Sequence, residues 1–236
     1  MKLLALETAN EQCSVSIVDE NQELFFQLDT RAKAQTQTIL PMIELGYAQL
    51  GVTTEDLTVI AFSRGPGSFT GVRIGIGAAQ GLAYGAKVPL IGISTLQMLA
   101  QGAYRRQQAE KVIAAIDARM NEIYLGAFTL QDGRMQPVLD EAVILPEQAG
   151  ELLHSVTAKI AGGVAVGTGF TSYTELAAKL GLLPTENQVE LNLPWAQDML
   201  PQAVAAYQAG EYCDPSLATP VYLRDKVTWK KLPGRE

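Results

Sequence analysis

The sequence is short of the residues that build metal centres and covalent crosslinks. Its 236 residues include one histidine, His154, and two cysteines, Cys13 and Cys213. A single histidine excludes a metal site built from several histidines, and the two cysteines form no CxxC pair. We therefore expect no metal and two reduced thiols, with a disulfide between the cysteines as the open alternative.

Long apolar runs and excess positive charge are lacking as well. No run approaches the roughly 20 residues of a membrane-spanning helix, and Glu7 interrupts the N-terminal apolar segment too early for a signal peptide. We expect a cytoplasmic protein without membrane contact. The formal net charge of −7 makes the isolated chain a poor nucleic-acid binder. The basic tail 224–235 is interpreted as a solvated segment, with an RNA contact as the alternative.

What the sequence does contain is an alternation of strand and helix patterns that runs twice along the chain. With 47% hydrophobic and 18% charged residues, the composition is typical of a folded protein. The first half predicts strands at 3–9, 12–19, 23–29, 57–65 and 87–94, a turn at 19–22, and helices at 34–51 and 95–108. Pro41 is expected to kink the first helix or to lie in its first turn.

The second half begins again with strands. It predicts strands at 111–119, 122–130 and 161–169, a hairpin turn at Asp132-Gly133, and helices at 171–181 and 194–210. This predicts an α/β protein of duplicated lobes, each a mixed sheet flanked by helices. The predicted lobes are 1–108 and 109–236, and the seam lies near 107–111.

The glycine-rich stretch 63–85 follows a strand and opens a helix, as a phosphate-binding loop does. A P-loop requires a lysine after its last glycine, but Val72 follows Gly71. The dinucleotide pattern G-x-G-x-x-G requires a glycine where Thr70 stands. One route to an anion stays open, through backbone N–H groups at the helix N-terminus with Arg73 nearby.

Two rows of small residues run along the predicted helix of this stretch. Each mid-helix glycine costs about 0.8–1 kcal/mol relative to alanine, so the close approach of another backbone is expected to offset the loss. That backbone belongs either to the chain's own sheet or to a helix of another molecule. We favour a contact between molecules for part of the surface. The first row is 71, 75, 78, 82 and 85, and the second is 77, 81 and 85.

Other catalytic chemistry finds little support. No GxSxG or HExxH motif is present, which argues against serine protease and metalloprotease activity. Asp117, Arg119 and Glu122 form a charged cluster after a predicted strand. We interpret them as an internal ion pair that braces the turn, and a functional cluster is the alternative.

Several segments together are similar to the TsaB (YeaZ) family, once classed with the M22 glycoproteases. The resemblance covers nearly the whole chain, and RGPGSFTGVRIG is its most specific part. It implies the actin-like, sugar-kinase-like ASKHA fold of duplicated lobes. It also implies a role in tRNA modification, in which TsaD and TsaE are partners. The segments are LLALETANEQCSVSI, QTQTILPMI, SRGPGSFTGVRIGIGAAQGLAYG, PLIGISTLQMLAQGA, AAIDARMNEIYLGAF and PVYLRDKVTWKKLPGRE.

The family resemblance implies a non-catalytic partner and activator of TsaD, not an enzyme. The H-x-x-x-H metal pair of TsaD falls here on Thr95 and Leu99, which are not metal ligands. The phosphate-binding pattern D-x-G-x-T of active relatives falls on Glu7-Thr8-Ala9-Asn10, which lacks the glycine. An ATP-dependent kinase or ATPase of the same superfamily is the alternative, with Glu7, Thr8 and the loop 167–169 near the phosphates.

The resemblance also implies a partner surface on the first and second helices. Without TsaD, the same surface is expected to form a homodimer. The chain alone is expected to bind no cofactor, although ATP or ADP could lie at the joint with TsaD, near Glu7, Thr8 and Arg73. Contact with TsaE and tRNA is expected only through the complex, and the last 20 or so residues are expected to pack back on the first lobe. The residues expected at the partner surface are Thr36, Ile39, Leu40, Ile43, Gly71, Val72, Ile74, Gly75, Ala78, Ala79 and Leu82.

Overall fold

The computed structural model describes residues 1–19, 24–182 and 192–224. Most of the turn expected at 19–22 and the basic tail beyond Arg224 lie outside these residues. The first sheet has the strand order β3-β2-β1-β4-β5. Its strands are β1 (Leu3–Glu7), β2 (Cys13–Val18), β3 (Leu24–Asp29), β4 (Val59–Gly65) and β5 (Leu90–Ser94).

The second sheet has the order β10-β6-β7-β8, and β9 also pairs with β7. The turn at Asp132-Gly133 joins β7 to β8, as the sequence predicts. The strands of this sheet are β6 (Lys111–Arg119), β7 (Glu122–Gln131), β8 (Arg134–Pro137), β9 (Ala142–Ile144) and β10 (Val164–Val166).

Three long helices follow the strands of the first half, and shorter ones occupy the second. The described helices are α1 (Gln35–Leu50), α2 (Phe69–Ala86), α3 (Thr95–Gln107), α4 (Ala149–Leu153), α5 (Thr157–Ile160), α6 (Thr168–Ser172), α7 (Leu176–Lys179) and α8 (Leu200–Ala209). A 3₁₀ turn, Ala196–Met199, leads into α8.

The two sheets repeat one pattern of pairing. Strand β1 is antiparallel to β2 and parallel to β4, and β6 is likewise antiparallel to β7 and parallel to β10. All five residues of β1 are buried, because a central strand covered on both faces needs apolar side chains on both. The predicted α/β fold of two mixed sheets flanked by helices is confirmed.

Helix α3 follows the first sheet along the chain but packs mainly against the second, with Met98 alone of its buried apolar residues in the cluster of the first sheet. Leu96 and Leu99 are fully buried in one cluster with Phe128 and Met135 of that sheet. Met199 and helix α8, which follow the second sheet along the chain, cover the first sheet. Each sheet is therefore covered by a helix from the other half of the chain. The predicted seam near 107–111 lies where α3 ends and β6 begins.

A buried ion cluster joins these two exchanged segments. Asp198 is fully buried and accepts a hydrogen bond from Arg105 Nε at 2.6 Å, while Arg106 lies 3.7 Å away. The Arg106 guanidinium lies 4.4 Å from the ring centroid of Trp195. Because a buried charge is costly unless it is paired, this cluster fixes how α3 meets the segment before α8.

One alternative for Pro41 and one predicted helix need correction. Pro41 does not lie in the first turn of α1 but inside the helix, on its exposed side, where water can satisfy the carbonyl that proline leaves without a donor; the expected kink stays a prediction. The single helix predicted at 171–181 is instead two short ones, α6 and α7. Tyr173, with φ −123° and ψ 74°, interrupts the helical backbone between them.

Candidate partner surface and interlobe cleft

The glycine-rich stretch first forms a tight loop against the β1–β2 turn. Ser68 is the N-cap of α2, and its hydroxyl oxygen accepts a hydrogen bond from Gly71 N–H at 3.3 Å. The Ser68 N–H donates to the carbonyl of Ala9 at 2.7 Å. The start of α2 is therefore held by this chain's own first hairpin.

One row of glycines exists because of that contact. A Cβ atom at Gly71 would overlap the carbonyl oxygen of Thr8, and one at Gly75 would lie 2.5 Å from Thr8 Oγ1. Thr8 Oγ1 also donates to the carbonyl of Gly71 at 2.7 Å. This row lets α2 approach the β1–β2 turn, so the backbone that offsets its propensity cost belongs to the same chain.

The second row of glycines faces open space. A Cβ atom at Gly77, Gly81 or Gly85 would meet no described atom within 4 Å. Two large aromatic side chains of α2 are exposed, Phe69 at its first residue with 68% of its surface exposed and Tyr84 near its last turn with 83%. Nothing within the described chain offsets the cost of these glycines.

Helices α1 and α2 cover the same face of the first sheet. Ile39 and Ile43 of α1 share one buried cluster with Val72 and Ile76 of α2. The outward sides of both helices therefore face away from the sheet. Leu40 contributes an exposed apolar side chain there, with 49% of its surface accessible.

The residues expected at the partner surface are divided by burial. Those that face inward pack into the chain's own core. Their side chains therefore cannot form the partner contact that the sequence predicts for them. Their apolar spacing marks the side of each helix that lies on the sheet. Thr36 and Leu40 are exposed, Ile74, Ala78 and Leu82 are half-buried, and Ile39, Ile43, Gly71, Val72, Gly75 and Ala79 are buried.

The sequence could have indicated which row faces outward. The buried positions Val72, Ile76, Ala79 and Ala83 recur at helical spacing, and the second glycine row lies away from them. The presence of glycine alone does not distinguish the two rows. Apolar periodicity distinguishes them, because the apolar stripe of a surface helix faces its sheet.

A cleft of about 770 Å³ lies between the two lobes. It is lined by the β1–β2 turn, the loop before α2, the β6–β7 turn and Thr168. Thr168 Oγ1 accepts a hydrogen bond from Asp117 N–H at 3.1 Å, which ties α6 to the end of β6. The cleft thus has polar walls from both halves of the chain.

The charged cluster after β6 lies at this cleft. Arg119 Nη1 is 3.4 Å from Asp117 Oδ2, which is the internal ion pair expected from the sequence. Glu122 instead pairs with Arg224, whose guanidinium also donates to the carbonyl of Ala118 at 3.0 Å. The described end of the chain is therefore anchored on the β6–β7 turn.

The three residues expected beside a nucleotide are not brought together. Glu7 and Thr8 are buried below the cleft and do not line it. Burial raises the pKa of Glu7 from 4.5 to about 7, against hydrogen bonds from Ala9 N–H and the Asn10 side chain that lower it. Arg73 is exposed, and its guanidinium lies 3.3 Å from the ring centroid of Phe69. The expectation of a nucleotide near these residues stays a prediction.

The metal pair of TsaD has no counterpart here. Thr95 and Leu99 are both fully buried, and Leu99 belongs to the apolar cluster under α3. Among the described residues, no group of three or more His, Cys, Asp or Glu side chains could hold a metal ion. Cys13 and Cys213 are both free thiols. None of the described helices combines the length and apolar character that crossing a membrane requires.

The chain is similar over most of its length to known proteins of tRNA modification. Residues 29–187 match the family model of TsaD, tRNA N6-adenosine threonylcarbamoyltransferase. The tRNA threonylcarbamoyladenosine biosynthesis protein TsaB of Escherichia coli K12 is 44% identical over the full length of both chains. The TsaB of Haemophilus influenzae is 39% identical over 100% of this chain and 99% of its own.

A solved structure gives the same result. YeaZ from Pseudomonas aeruginosa is 39% identical, covers 94% of this chain and 99% of its own, and superposes with a TM-score of 0.82. The duplicated lobes therefore have the actin-like, sugar-kinase-like ASKHA fold. Within that class, the chain belongs to the TsaB family, as the sequence motifs predict.

Proposed function

We propose that this chain is a non-catalytic partner and activator of TsaD. In that role it acts in the cytoplasm and supports transfer of a threonylcarbamoyl group to the adenosine next to the anticodon, in tRNAs that read codons beginning with A. The biosynthetic role is supported by two TsaB relatives that match the chain over its full length. The partnership is supported by the match of residues 29–187 to TsaD itself, because paralogues of one fold readily pair through equivalent helices.

The absence of a catalytic set in the described chain supports the accessory role. Thr95 and Leu99 stand where TsaD carries its metal ligands, and neither side chain reaches solvent. The hydroxyl of Thr8 is engaged with the carbonyl of Gly71 rather than offered to a ligand. A chain without such a catalytic set is better suited to bind another protein than to catalyse a reaction.

The observation that carries the proposal is the outward glycine row of α2. Gly77, Gly81 and Gly85 leave a shallow strip over which a second helix could approach closely, and the exposed Tyr84 precedes Gly85 at its end. Large exposed aromatics next to small residues are typical of a binding surface. We assign this strip, with Leu40 of α1 nearby, to the contact with the N-terminal lobe of TsaD.

The same strip serves a second copy of the chain when TsaD is absent, because a twofold axis brings identical patches together. In the full assembly, TsaE joins through the complex of this chain with TsaD. The chain meets tRNA only through that complex, consistent with its net charge of −7. ATP or ADP binds at the joint rather than to the isolated chain.

The test is reconstitution of the reaction on an unmodified tRNA with and without this chain. TsaD, TsaE, ATP and the threonylcarbamoyl donor system are held constant, and the modified nucleoside is measured by mass spectrometry. We expect product only when the chain is present. Equal product without it would contradict the activator role.

A kinase or ATPase is the second candidate, and the interlobe cleft of about 770 Å³ is the observation that favours it. ATP turnover by the isolated chain distinguishes the two. The proposed function predicts none above a heat-treated control, and turnover that depends on a cleft residue such as Thr168 would establish the alternative.

A further inference from the structure

A second groove, of about 660 Å³, lies on the far edge of the first sheet, away from the strip on α2. Its floor is the edge strand β5. Its walls come from β8 of the second sheet, from α8 and from the segment 211–213. A volume of this size is typical of small-molecule sites.

Two arginines line this groove without a carboxylate partner. Among the described residues, no Asp or Glu oxygen lies within 4 Å of the guanidinium of Arg64 or of Arg134. The Nε atom of Arg64 is buried and has no acceptor. No hydrogen bond or ion pair within the described chain occupies the two terminal nitrogens of Arg64, so they are left for an acceptor that enters the groove.

The carboxylate of Glu141 acts on Arg64 through its charge but does not form an ion pair with it. Glu141 interacts with Arg64 only at longer range, and its carboxylate accepts a hydrogen bond from Ser94 Oγ. Burial raises the pKa of Glu141 more than Arg64 and Ser94 lower it. A second carboxylate, Glu211, lines the outer rim of the groove and is exposed to solvent. Both carboxylates therefore act on the arginines only at longer range, and neither forms an ion pair with them.

An unpaired acceptor lies in the same groove. Gln202 is buried, and its Nε2 donates to Gln101 Oε1 at 2.8 Å. The orientation of Gln101 is fixed, because its Oε1 also accepts from Met135 N–H and its Nε2 donates to the carbonyl of Gly133. Gln202 Oε1 is thereby left without a donor. The wall of the groove therefore holds a buried acceptor that lacks a donor.

The strand edge adds backbone groups. Leu90 exchanges two backbone hydrogen bonds of 2.9 Å with Cys213 on the outer side of β5. Backbone groups two residues apart in a strand point the same way, so Gly92 directs its N–H and C=O to that side. Gly92 lines the groove, and Arg64 passes directly over it.

We propose that this groove binds a small organic carboxylate that carries a hydroxyl group. The carboxylate pairs with Arg64 and Arg134, whose planar forks match its two oxygens, and it accepts from Gly92 N–H. The hydroxyl donates to Gln202 Oε1. The site is separate from the strip on α2 and from the interlobe cleft, and it does not depend on the proposed function.

The experiment is calorimetric titration of the full chain at fixed ionic strength with L-malate, and with succinate, which lacks the hydroxyl. We expect malate to bind with a Kd of about 1 mM or tighter, and more tightly than succinate. Arg134→Gln should weaken malate binding at least about tenfold. Ala209→Asp, on the exposed end of the wall, should do the same through repulsion, while the isosteric Ala209→Asn should not.

Two further variants make the assignment falsifiable. Arg64→Gln should abolish binding in a protein whose melt still shows one cooperative transition. Arg119→Gln, in the interlobe cleft, should leave binding unchanged. The proposal is overturned if malate does not bind the wild-type chain, if Arg134→Gln and Ala209→Asp both bind normally, or if binding is lost in Arg119→Gln instead. None of these results bears on tRNA modification.

Discussion

Substitution of Gly81 by arginine separates the fold from the proposed partner surface. Gly81 lies in the middle of α2, and a Cβ there meets nothing within 4 Å. Since arginine ranks near alanine in helix propensity, the variant should recover most of the roughly 0.8–1 kcal/mol that glycine costs. For a chain of this size, that corresponds to a rise in Tm of about 2–4 °C.

The same side chain should break the complex. A guanidinium placed without a partner in a closely packed helix contact costs about 3 kcal/mol or more, which is over about a hundredfold in Kd. The assay pairs a thermal melt of the isolated chain with co-purification of TsaD. We expect the melt to rise and TsaD to be lost.

Gly150→Arg provides the matched control. Gly150 is exposed in α4 on the other lobe, and a Cβ there has one neighbour, at 4.0 Å. This variant should keep TsaD bound. Retention of TsaD by Gly81→Arg, with its melt unchanged or raised, would refute the assignment of the strip.

Three further substitutions test the interior, two of them with a second substitution for comparison. Burial raises the pKa of Glu7 from 4.5 in the unfolded chain to about 7 in the native state. Between these pH values the native state holds a proton that the unfolded chain has released, so the free energy of unfolding falls by about 3 kcal/mol as pH rises from 4.5 through 7. Glu7→Gln should remove this loss in urea unfolding at pH 5 and pH 8. Asp198→Asn should cost about 1.5–3 kcal/mol by removing the buried carboxylate charge that binds Arg105, whereas Glu175→Gln, in an exposed ion pair, should cost less than about 0.5 kcal/mol. Thr95→Val removes a buried hydroxyl that has no hydrogen-bond partner, so it should stabilise the chain by about 1 kcal/mol and leave tRNA modification unchanged. Ser94→Ala removes the N-cap of α3 and should instead cost about 1 kcal/mol of stability.

Each of these has a contradicting outcome. A stability difference between wild type and Glu7→Gln that does not change with pH would mean that Glu7 does not titrate in this range. Equal losses of stability in Asp198→Asn and Glu175→Gln would mean that the buried ion cluster stabilises the fold no more than an exposed ion pair does. A deep loss of modification in folded Thr95→Val would restore a catalytic role to this position.

The sequence predicted the elements of the fold better than their packing. The central strands and the long helices were predicted within about three residues of their observed ends, because burial on both faces and helical periodicity are local signals. Apolar spacing on α3 indicated that one side is buried, but it carries no information on which sheet covers it. The exchange of α3 and α8 between the sheets is a long-range outcome that local patterns do not encode.

The sites show the same limit more sharply. The helix that carries the partner strip was predicted, but six of the residues expected there are buried in the core. The groove with Arg64 and Arg134 was not predicted. Its residues come from four separate segments, and no spacing between them is regular enough to recognise in the sequence.

The two glycine rows of α2 differ in what they contact, so adding the same methyl group to each should have effects of opposite sign. At Gly77 the methyl enters open space, and Gly77→Ala should stabilise the chain by about 0.8–1 kcal/mol. At Gly75 it would lie 2.5 Å from Thr8 Oγ1, which is already bonded to the carbonyl of Gly71. Gly75→Ala must push the β1–β2 turn away from α2, and overpacking of this kind costs about 1–3 kcal/mol.

Thermal melts of the two alanine variants measure this difference directly. Because the loop before α2 also lines the interlobe cleft, Gly75→Ala should displace that wall, while Gly77→Ala should leave the cleft unchanged. Hydrogen exchange of the β1–β2 turn would detect the displacement as faster exchange in Gly75→Ala alone. If both variants shift the melt in the same direction, the division of α2 into an inward and an outward glycine row is wrong. The strip proposed for TsaD would then lose its structural basis.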